Sequence, residues 1–315
     1  MTEYAVEVKG LYKDYKSYGK DRNVKHALRG IDLSIPRGVI FGILGPNGAG
    51  KSTFINILAG QTIKTSGLVK IWGFDQDVNP RQSRASIGVV PQELNCDPFF
   101  SPHESLHVQA GLYGVPRSER KIDQILQDVG LTDQAQAYVR ALSGGMKRRL
   151  LLAKAMTHNP PVLILDEPTA GVDLSLRRQL WMLVRRLNEQ GVTIILTTHY
   201  LEEAQEMCDQ IAIINHGKVV TCQDKSSMLE SLDMRQLFVK PLHSITCVPD
   251  SLGNSELFKV DIKNDDRLTF TYSRKNIAPM EIIQMVSACG IEFEDFSTKE
   301  PRLEDVFVYL TQDVV

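Results

Sequence analysis

The segment Gly45-Pro46-Asn47-Gly48-Ala49-Gly50-Lys51-Ser52 fits the pattern G-x-x-x-x-G-K-[ST]. Phosphate chemistry requires that spacing. The glycines let the backbone wrap closely, so that successive N–H groups point at phosphate oxygens, and the positive end of a helix starting near Lys51 adds to them. Lys51 is placed to reach the β- and γ-phosphates of a nucleotide and the Ser52 hydroxyl to ligate Mg²⁺, and Thr53 extends the nucleotide-binding loop. A second group of residues suits the same chemistry. Asp166 ends the apolar run Val162–Leu165, so its carboxylate emerges at a strand's carboxyl end, where open α/β sheets bind their ligands. It can hold a metal ion directly or through water, while the adjacent Glu167 acts on an attacking water.

Positioning these groups takes a sheet. Val39–Leu44 is a short apolar run that enters the glycine-rich turn, and Lys51–Ala59 reads as a helix stopped by Gly60. Further buried-strand signals are Val162–Leu165, Val192–Thr197 and Ile211–Ile214, with helical patterns at Leu174–Glu189 and Leu201–Cys208. Continuous apolar strands alternating with helices predict a parallel sheet covered on both faces, an α/β P-loop NTPase fold. Between about Glu93 and Leu142 the apolar strands give way to helical patterns such as Ser118–Val129, closed by Gly130. That stretch predicts a helical insertion. After Gln223 the runs Leu237–Lys240, Phe258–Ile262 and Leu268–Tyr272 alternate like strands, with a turn signal at Asn264-Asp265-Asp266. A helix over Pro279–Ala288, a strand over Ile291–Phe296 and a proline-opened helix over Pro301–Leu310 complete a small α+β domain.

Composition narrows the function classes. The 36 basic and 38 acidic residues leave a net charge of -2, which advertises neither a nucleic-acid surface nor an acidic tail. The run from Lys9 to Arg29 is basic but holds Asp14 and Asp21, and reads as a solvated face. No stretch approaches the ~20 apolar residues that span a bilayer, and the start, MTEYAVEVKG, carries no secretory pattern. The five cysteines form no C-x-x-C and read as reduced cytosolic thiols. A membrane-crossing substrate would need a separate membrane chain.

Leu142-Ser143-Gly144-Gly145-Met146 resembles the signature motif of ABC ATPases, and it precedes LILDEPTAGVD by about 20 residues, the family order. The resemblance runs from about residue 5 to residue 222 and implies a cassette over 1–222, with a helical subdomain at about 93–160, and an accessory domain over 223–315. It also implies roles. Tyr15 is similar to the aromatic that stacks on adenine, with Tyr18 as a competitor. Gln92, in VVPQE, resembles the glutamine that contacts Mg²⁺ and attacking water. Asp166 resembles the Mg²⁺-associated aspartate and Glu167 the general base. Asp173, in AGVD, matches the aspartate that crosses a dimer interface, and His199, in TTHYLEEA, the histidine on the γ-phosphate. Ser143 is a good helix N-cap, and Gly144 and Gly145 allow close approach of an anion. In the family that signature faces the ATP held by the other subunit, so the implied assembly is a homodimer around two ATP molecules.

The signature ends here in Met146, where glutamine is usual, a variant familiar in exporter-type members. Arg148 and Arg149 read either as a positive field for the distant phosphates or as solvated bases. Arg302-Leu303-Glu304-Asp305-Val306-Phe307 resembles an element of ATPases that serve drug, polysaccharide or lipid exporters. The resemblance therefore implies a peripheral subunit on the cytoplasmic face of the membrane, working with a separate integral-membrane permease. Phe99, Phe100 and Glu104 are candidates for the permease-docking groove, with two core phenylalanines as the alternative. The competing function is a soluble ABC-type ATPase acting on nucleic acid or ribosomes; the chain has neither a second cassette nor cysteine pairs to support it.

Overall fold

A computed structural model of the protein describes residues 3–16, 24–170, 172–231, 234–245, 247–253, 255–262, 267–299 and 302–312. Two compact units divide it, Met1–Lys225 and Ser226–Val315. The first begins with β1 (Tyr4–Lys16), β2 (Val24–Pro36), β3 (Ile40–Leu44), α1 (Lys51–Leu58), β4 (Ser66–Ile71) and β5 (Phe74–Asp75). There follow α2 (Pro80–Ala85), β6 (Ile87–Val90), α3 (Pro102–Leu112), α4 (Ile122–Asp128) and α5 (Gly144–Met156). It ends with β7 (Val162–Asp166), α6 (Leu174–Glu189), β8 (Thr193–Thr197), α7 (Leu201–Met207), β9 (Gln210–Asn215) and β10 (Lys218–Asp224).

A six-stranded sheet of order β10-β9-β3-β8-β7-β6 carries the site; β10 alone runs antiparallel. All residues of β3 and β8 are buried, as expected for parallel strands covered on both faces. An antiparallel sheet of order β2-β1-β4-β5 lies against it. Phe54, Ile57 and Leu58 of α1 join Leu28 and Ile31 of β2 and Ile164 of β7 in a single core. Each such side chain contributes about 1.5–3 kcal/mol by leaving water. The helices α3, α4 and α5 pack on one another. No helix among the described residues is long and apolar enough to cross a membrane.

Local structure departs from the sequence expectation in three places. The basic run from Lys9 to Arg29 is no plain solvated face: its described residues belong to the β1–β2 ribbon, and Leu11 and Leu28 are fully buried. The helix expected over Ser118–Val129 is a 3-10 turn, Arg117–Glu119, followed by α4. Arg120 breaks it: its Nε donates to Val115 O at 2.9 Å and its Nη1 to His107 O at 3.1 Å, which holds that residue extended. Arg148 is buried and Arg149 half-buried, so neither is a plain solvated base: both are tied to backbone carbonyls.

The second unit contains α8 (Lys225–Ser231), which begins at the junction, then β11 (Met234–Pro241), α9 (Asp250–Gly253), β12 (Phe258–Ile262), β13 (Leu268–Ser273), α10 (Pro279–Ala288), β14 (Phe293–Lys299) and α11 (Leu303–Gln312). Its antiparallel sheet has the order β12-β13-β11-β14. Leu237, Val239, Phe270 and Tyr272 of the sheet bury against Ile282, Ile283 and Val286 of α10. The turn signal at 264–266 and the opening Pro301 lie outside the described residues. Within α11, Leu303 and Val306 are buried, while Phe307 and Leu310 are half-buried.

Candidate nucleotide-binding and catalytic site

Strand β3 delivers the chain to Gly45, whose φ is 159°. A Cβ there would stand 2.1 Å from Ile214 O, in the neighbouring strand β9, so only glycine fits. The loop then folds back: Ala49 N donates to Pro46 O at 3.2 Å, and Gly217 N to Ala49 O at 2.9 Å. Gly50 caps α1 in the left-handed region. Lys51 Nζ donates to Gly45 O at 2.6 Å and Pro46 O at 3.1 Å, curled inside its own loop. Burial pushes the Lys51 pKa down, and the Glu167 and Asp166 carboxylates push back.

The acidic residues arrive from the next strands. Asp166 ends β7 and pairs with Thr197 at the end of β8, whose Oγ1 donates to Asp166 Oδ1 at 2.5 Å. Glu167 has a φ of 47°, which costs a non-glycine residue about 1–3 kcal/mol. Its N–H donates to Thr197 O at 3.0 Å, holding the turn that aims the side chain. Gln92 Nε2 donates to Glu167 Oε2 at 2.9 Å, and His199 Nδ1 stands 3.2 Å from Oε1. Both carboxylate oxygens of Glu167 are thus gripped, each from a different loop.

These residues share a cleft of about 720 Å³. Asn47, Gly48, Ala49, Gly50, Lys51, Ser52 and Thr53 form its floor, with Gln92, Asp166, Glu167 and His199 on one wall. Gly45 and Pro46 lie in the loop behind, as acceptors for Lys51. Tyr15, 39 % exposed, lines it from near the close of β1; its rival Tyr18 lies outside the described residues. Val24, Lys25, His26, Ala27 and Arg29 of β2 and His216 and Gly217 of the β9–β10 turn complete the lining. Motif spacing does not find those seven, because a strand facing a cleft and a hairpin turn carry no fixed pattern. The Asn215-His216-Gly217 turn was the one visible signal.

Besides Gly45 and Pro46, four expected site residues lie outside that cleft. Ser143 caps α5, its Oγ accepting from Met146 N at 3.2 Å. Asp173 caps α6, its Oδ1 accepting from Leu176 N at 2.9 Å. Gly144 and Gly145 open α5, and a Cβ on Gly145 would come within 2.1 Å of Leu176 Cδ2. The starts of α5 and α6 therefore lie side by side, bringing the signature and Asp173 together, and none of the four lines this chain's own nucleotide cleft.

Arg148 is 5 % exposed. Its Nη1 donates to Pro91 O at 3.1 Å and Gln92 O at 2.8 Å, and Nη2 to Ala170 O at 3.5 Å. It is a strut between α5, the Gln92 loop and the segment after Glu167. Arg149 Nη1 donates to Val129 O at 3.3 Å and Gly130 O at 3.1 Å, closing the end of α4. Phe99 and Phe100 are exposed rather than in the core. Glu104 Oε2 accepts from Ser101 N at 2.8 Å, so its carboxylate closes a helix cap.

Residues 28–170 match the family model described as "ABC transporter". The chain is 33 % identical to the linearmycin resistance ATP-binding protein LnrL of Bacillus subtilis (strain 168), over 94 % of this chain and 96 % of that one. It is 33 % identical to the Nod factor export ATP-binding protein I of Rhizobium sp. (strain N33), over 99 % and 98 %. With the daunorubicin/doxorubicin resistance ATP-binding protein DrrA of Streptomyces peucetius the identity is 34 %, over 98 % and 92 %. Among solved structures, a dimeric post-hydrolysis state of the ATP-binding cassette MJ0796 bound to ADP and Pi superposes with a TM-score of 0.62 at 28 % identity, covering 70 % of this chain and 98 % of that one. A phosphate loop facing a carboxylate pair, a displaced signature, and relatives matched along nearly their whole length lead to one assignment: the chain belongs to the ABC transporter family, among its ATP-binding ATPase subunits.

Proposed function

We propose that this chain binds and hydrolyses ATP to power an exporter whose permease is a separate membrane protein. The observation that carries the catalytic assignment is the Glu167 carboxylate, held between Gln92 and His199 at the wall of a P-loop cleft. Adenine stacks on Tyr15, and the loop Gly45–Ser52 with Thr53 wraps the phosphates. Lys51 leaves its carbonyl partners for the β- and γ-oxygens. The donor set fits a hard divalent cation, because Ser52, Asp166 and the Gln92 amide oxygen are all oxygen donors, and Gln92 has only its nitrogen committed to Glu167. Mg²⁺ bound there would neutralise charge on the β- and γ-phosphates. Glu167 accepts a proton from the attacking water, and His199 holds the carboxylate and the γ-phosphate side of the cleft in line.

Ser143, Gly144, Gly145 and Asp173 serve the ATP of a second copy. Their placement away from the home cleft supports this, as does the dimeric form of the MJ0796 cassette. The relatives' names supply the transport direction: they are export and resistance ATP-binding proteins. They favour this function over a soluble ATPase acting on nucleic acid or ribosomes. With no described helix able to span a bilayer, attachment to the cytoplasmic face runs through the permease. Its docking surface includes Phe99 and Phe100, both exposed. Pull-down from detergent-solubilised membranes tests the assembly. Co-purification of an integral membrane protein, lost on Phe99→Glu, is expected; recovery only with soluble ribosomal or DNA-repair proteins would overturn the transport role.

A further inference from the structure

Glu203 is a carboxylate that the mechanism above does not use. It sits in α7, 4 % exposed, and does not line the nucleotide cleft. Burying a carboxylate is costly unless partners surround it, and here they come from three separate segments. Thr169 Oγ1 lies 2.7 Å from both Glu203 oxygens, and Thr198 Oγ1 donates to Oε2 at 3.2 Å. Arg177 Nε stands 3.1 Å from Oε1 as an ion pair, off the line of a hydrogen bond. The Arg177 guanidinium also lies 5.2 Å from the centre of the Tyr200 ring.

Each segment carries a site residue. Thr169 belongs to the turn closed by Ala170 N donating to Glu167 O at 3.2 Å. Thr198 precedes His199, and its Oγ1 also accepts from Tyr200 N at 3.0 Å. Arg177 is one turn into α6, where its N–H donates to the carbonyl of the cap Asp173 at 3.0 Å. Simple helix-end stabilisation does not account for the arrangement, since the neighbouring Glu202 offers a carboxylate to the same first turn. Glu203 instead aims at hydroxyls outside its own helix.

We propose that Glu203 is a positioning residue: through Thr169, Thr198 and Arg177 it locks the Glu167 turn, the His199 loop and the Asp173 helix into one register, so that hydrolysis depends on the placement of the dimer-facing helix. The role rests on Glu167 and His199 acting as assigned above. Because Glu203 is buried outside the nucleotide cleft, it sets turnover and leaves ATP affinity alone.

The test is steady-state hydrolysis at saturating Mg·ATP, alongside the Kd for ATP. Thr169→Val removes the hydroxyl at nearly constant volume, and Thr169→Ser restores it. Misplacing a reacting group by about 1 Å costs on the order of 100-fold, so Thr169→Val is expected to lower kcat at least ~10-fold with Kd unchanged, while Thr169→Ser stays within ~2-fold of wild type. Wild-type kcat in Thr169→Val, equal loss in both variants, or a parallel loss of ATP affinity each overturns the proposal. Should Thr169→Val fail to fold, Arg177→Gln, at a partly exposed position, must show the same loss of kcat at constant Kd; wild-type turnover there overturns it. Glu167→Gln separates the two levels. If Glu167→Gln hydrolyses normally, the assignment of the base fails; if it is inactive while Thr169→Val is normal, the role of Glu203 alone fails.

Discussion

Replacing Arg148 with methionine isolates the strut beneath the Gln92 loop. The change keeps the aliphatic stem in α5 and deletes the donations to Pro91 O at 3.1 Å and Gln92 O at 2.8 Å, together with the long contact to Ala170 O at 3.5 Å, which is too weak to add to the sum. Charge-assisted bonds contribute about 1.5–3 kcal/mol each, so the gross loss is ~3–6 kcal/mol. Methionine also relieves a burden: Arg148 Nε is buried without a hydrogen-bond partner, and burial pushes the guanidinium pKa down. An orphaned buried donor costs about 1–3 kcal/mol, which leaves a net loss of roughly 2–3 kcal/mol. Gln92 itself is exposed, so its freed carbonyl rehydrates, and the loss falls mainly on loop placement. At about 1.4 kcal/mol per tenfold, kcat should drop roughly 30- to 150-fold. The assay is phosphate release at saturating Mg·ATP, with melting followed in parallel. Wild-type turnover in Arg148→Met would refute the strut. So would a melting temperature lower by the full ~4–12 °C that 2–3 kcal/mol of global destabilisation implies, with kcat of the folded protein unchanged.

Glu167→Gln should bind ATP normally, hydrolyse it at least ~100-fold more slowly, as expected for a lost general base, and accumulate as a dimer in size-exclusion chromatography with Mg·ATP; turnover at the wild-type rate excludes Glu167 as the base. Burial lowers the Lys51 pKa, so phosphate binding, which favours the ammonium, should be strongest below that pKa and weaken about tenfold per pH unit above it. A Kd series is expected to break at lower pH than an ordinary lysine would give. The same depressed pKa makes Lys51's contribution to fold stability rise with pH between its folded and unfolded values, since the unfolded chain holds the proton more tightly. Cys208 is fully buried and its pKa is pushed up to about 12, first by burial and then by Asp209. A thiol reagent should spare it in the folded protein and reach it only in denaturant, whereas exposed Cys247 reacts at once; equal rates would contradict the packing of α7 on β3.

Much of the α/β framework is legible because a buried parallel strand has no polar face to confuse the pattern. Ile40–Leu44, Val162–Asp166 and Thr193–Thr197 are apolar almost throughout. The β1–β2 ribbon is harder to see, since its outer face carries the lysines and arginines that read as solvent, while Leu11 and Leu28 point inward. In the site, residues that act through a spaced motif stand out. Residues that act through burial do not: Arg148 and Glu203 look like ordinary surface charges until the fold closes over them. Lys25, His26 and His216 escape for another reason, as their approach to the cleft depends on how two sheets and a turn meet.

The slot under Gly45 also dictates an order of events during synthesis. β3 is paired on both sides by strands made far later, Ile40 beside Ile194 and Leu44 beside Ile213, and the carbonyl that roofs Gly45 belongs to Ile214. Such non-local pairing is slow, and unpaired apolar strands attract aggregation or chaperones while they wait. A ribosome that has finished Ser52 has made the phosphate motif but no phosphate site. Chains arrested before β9 and the His216-Gly217 turn emerge should gain no protection from ATP against proteolysis, and longer chains should gain it abruptly.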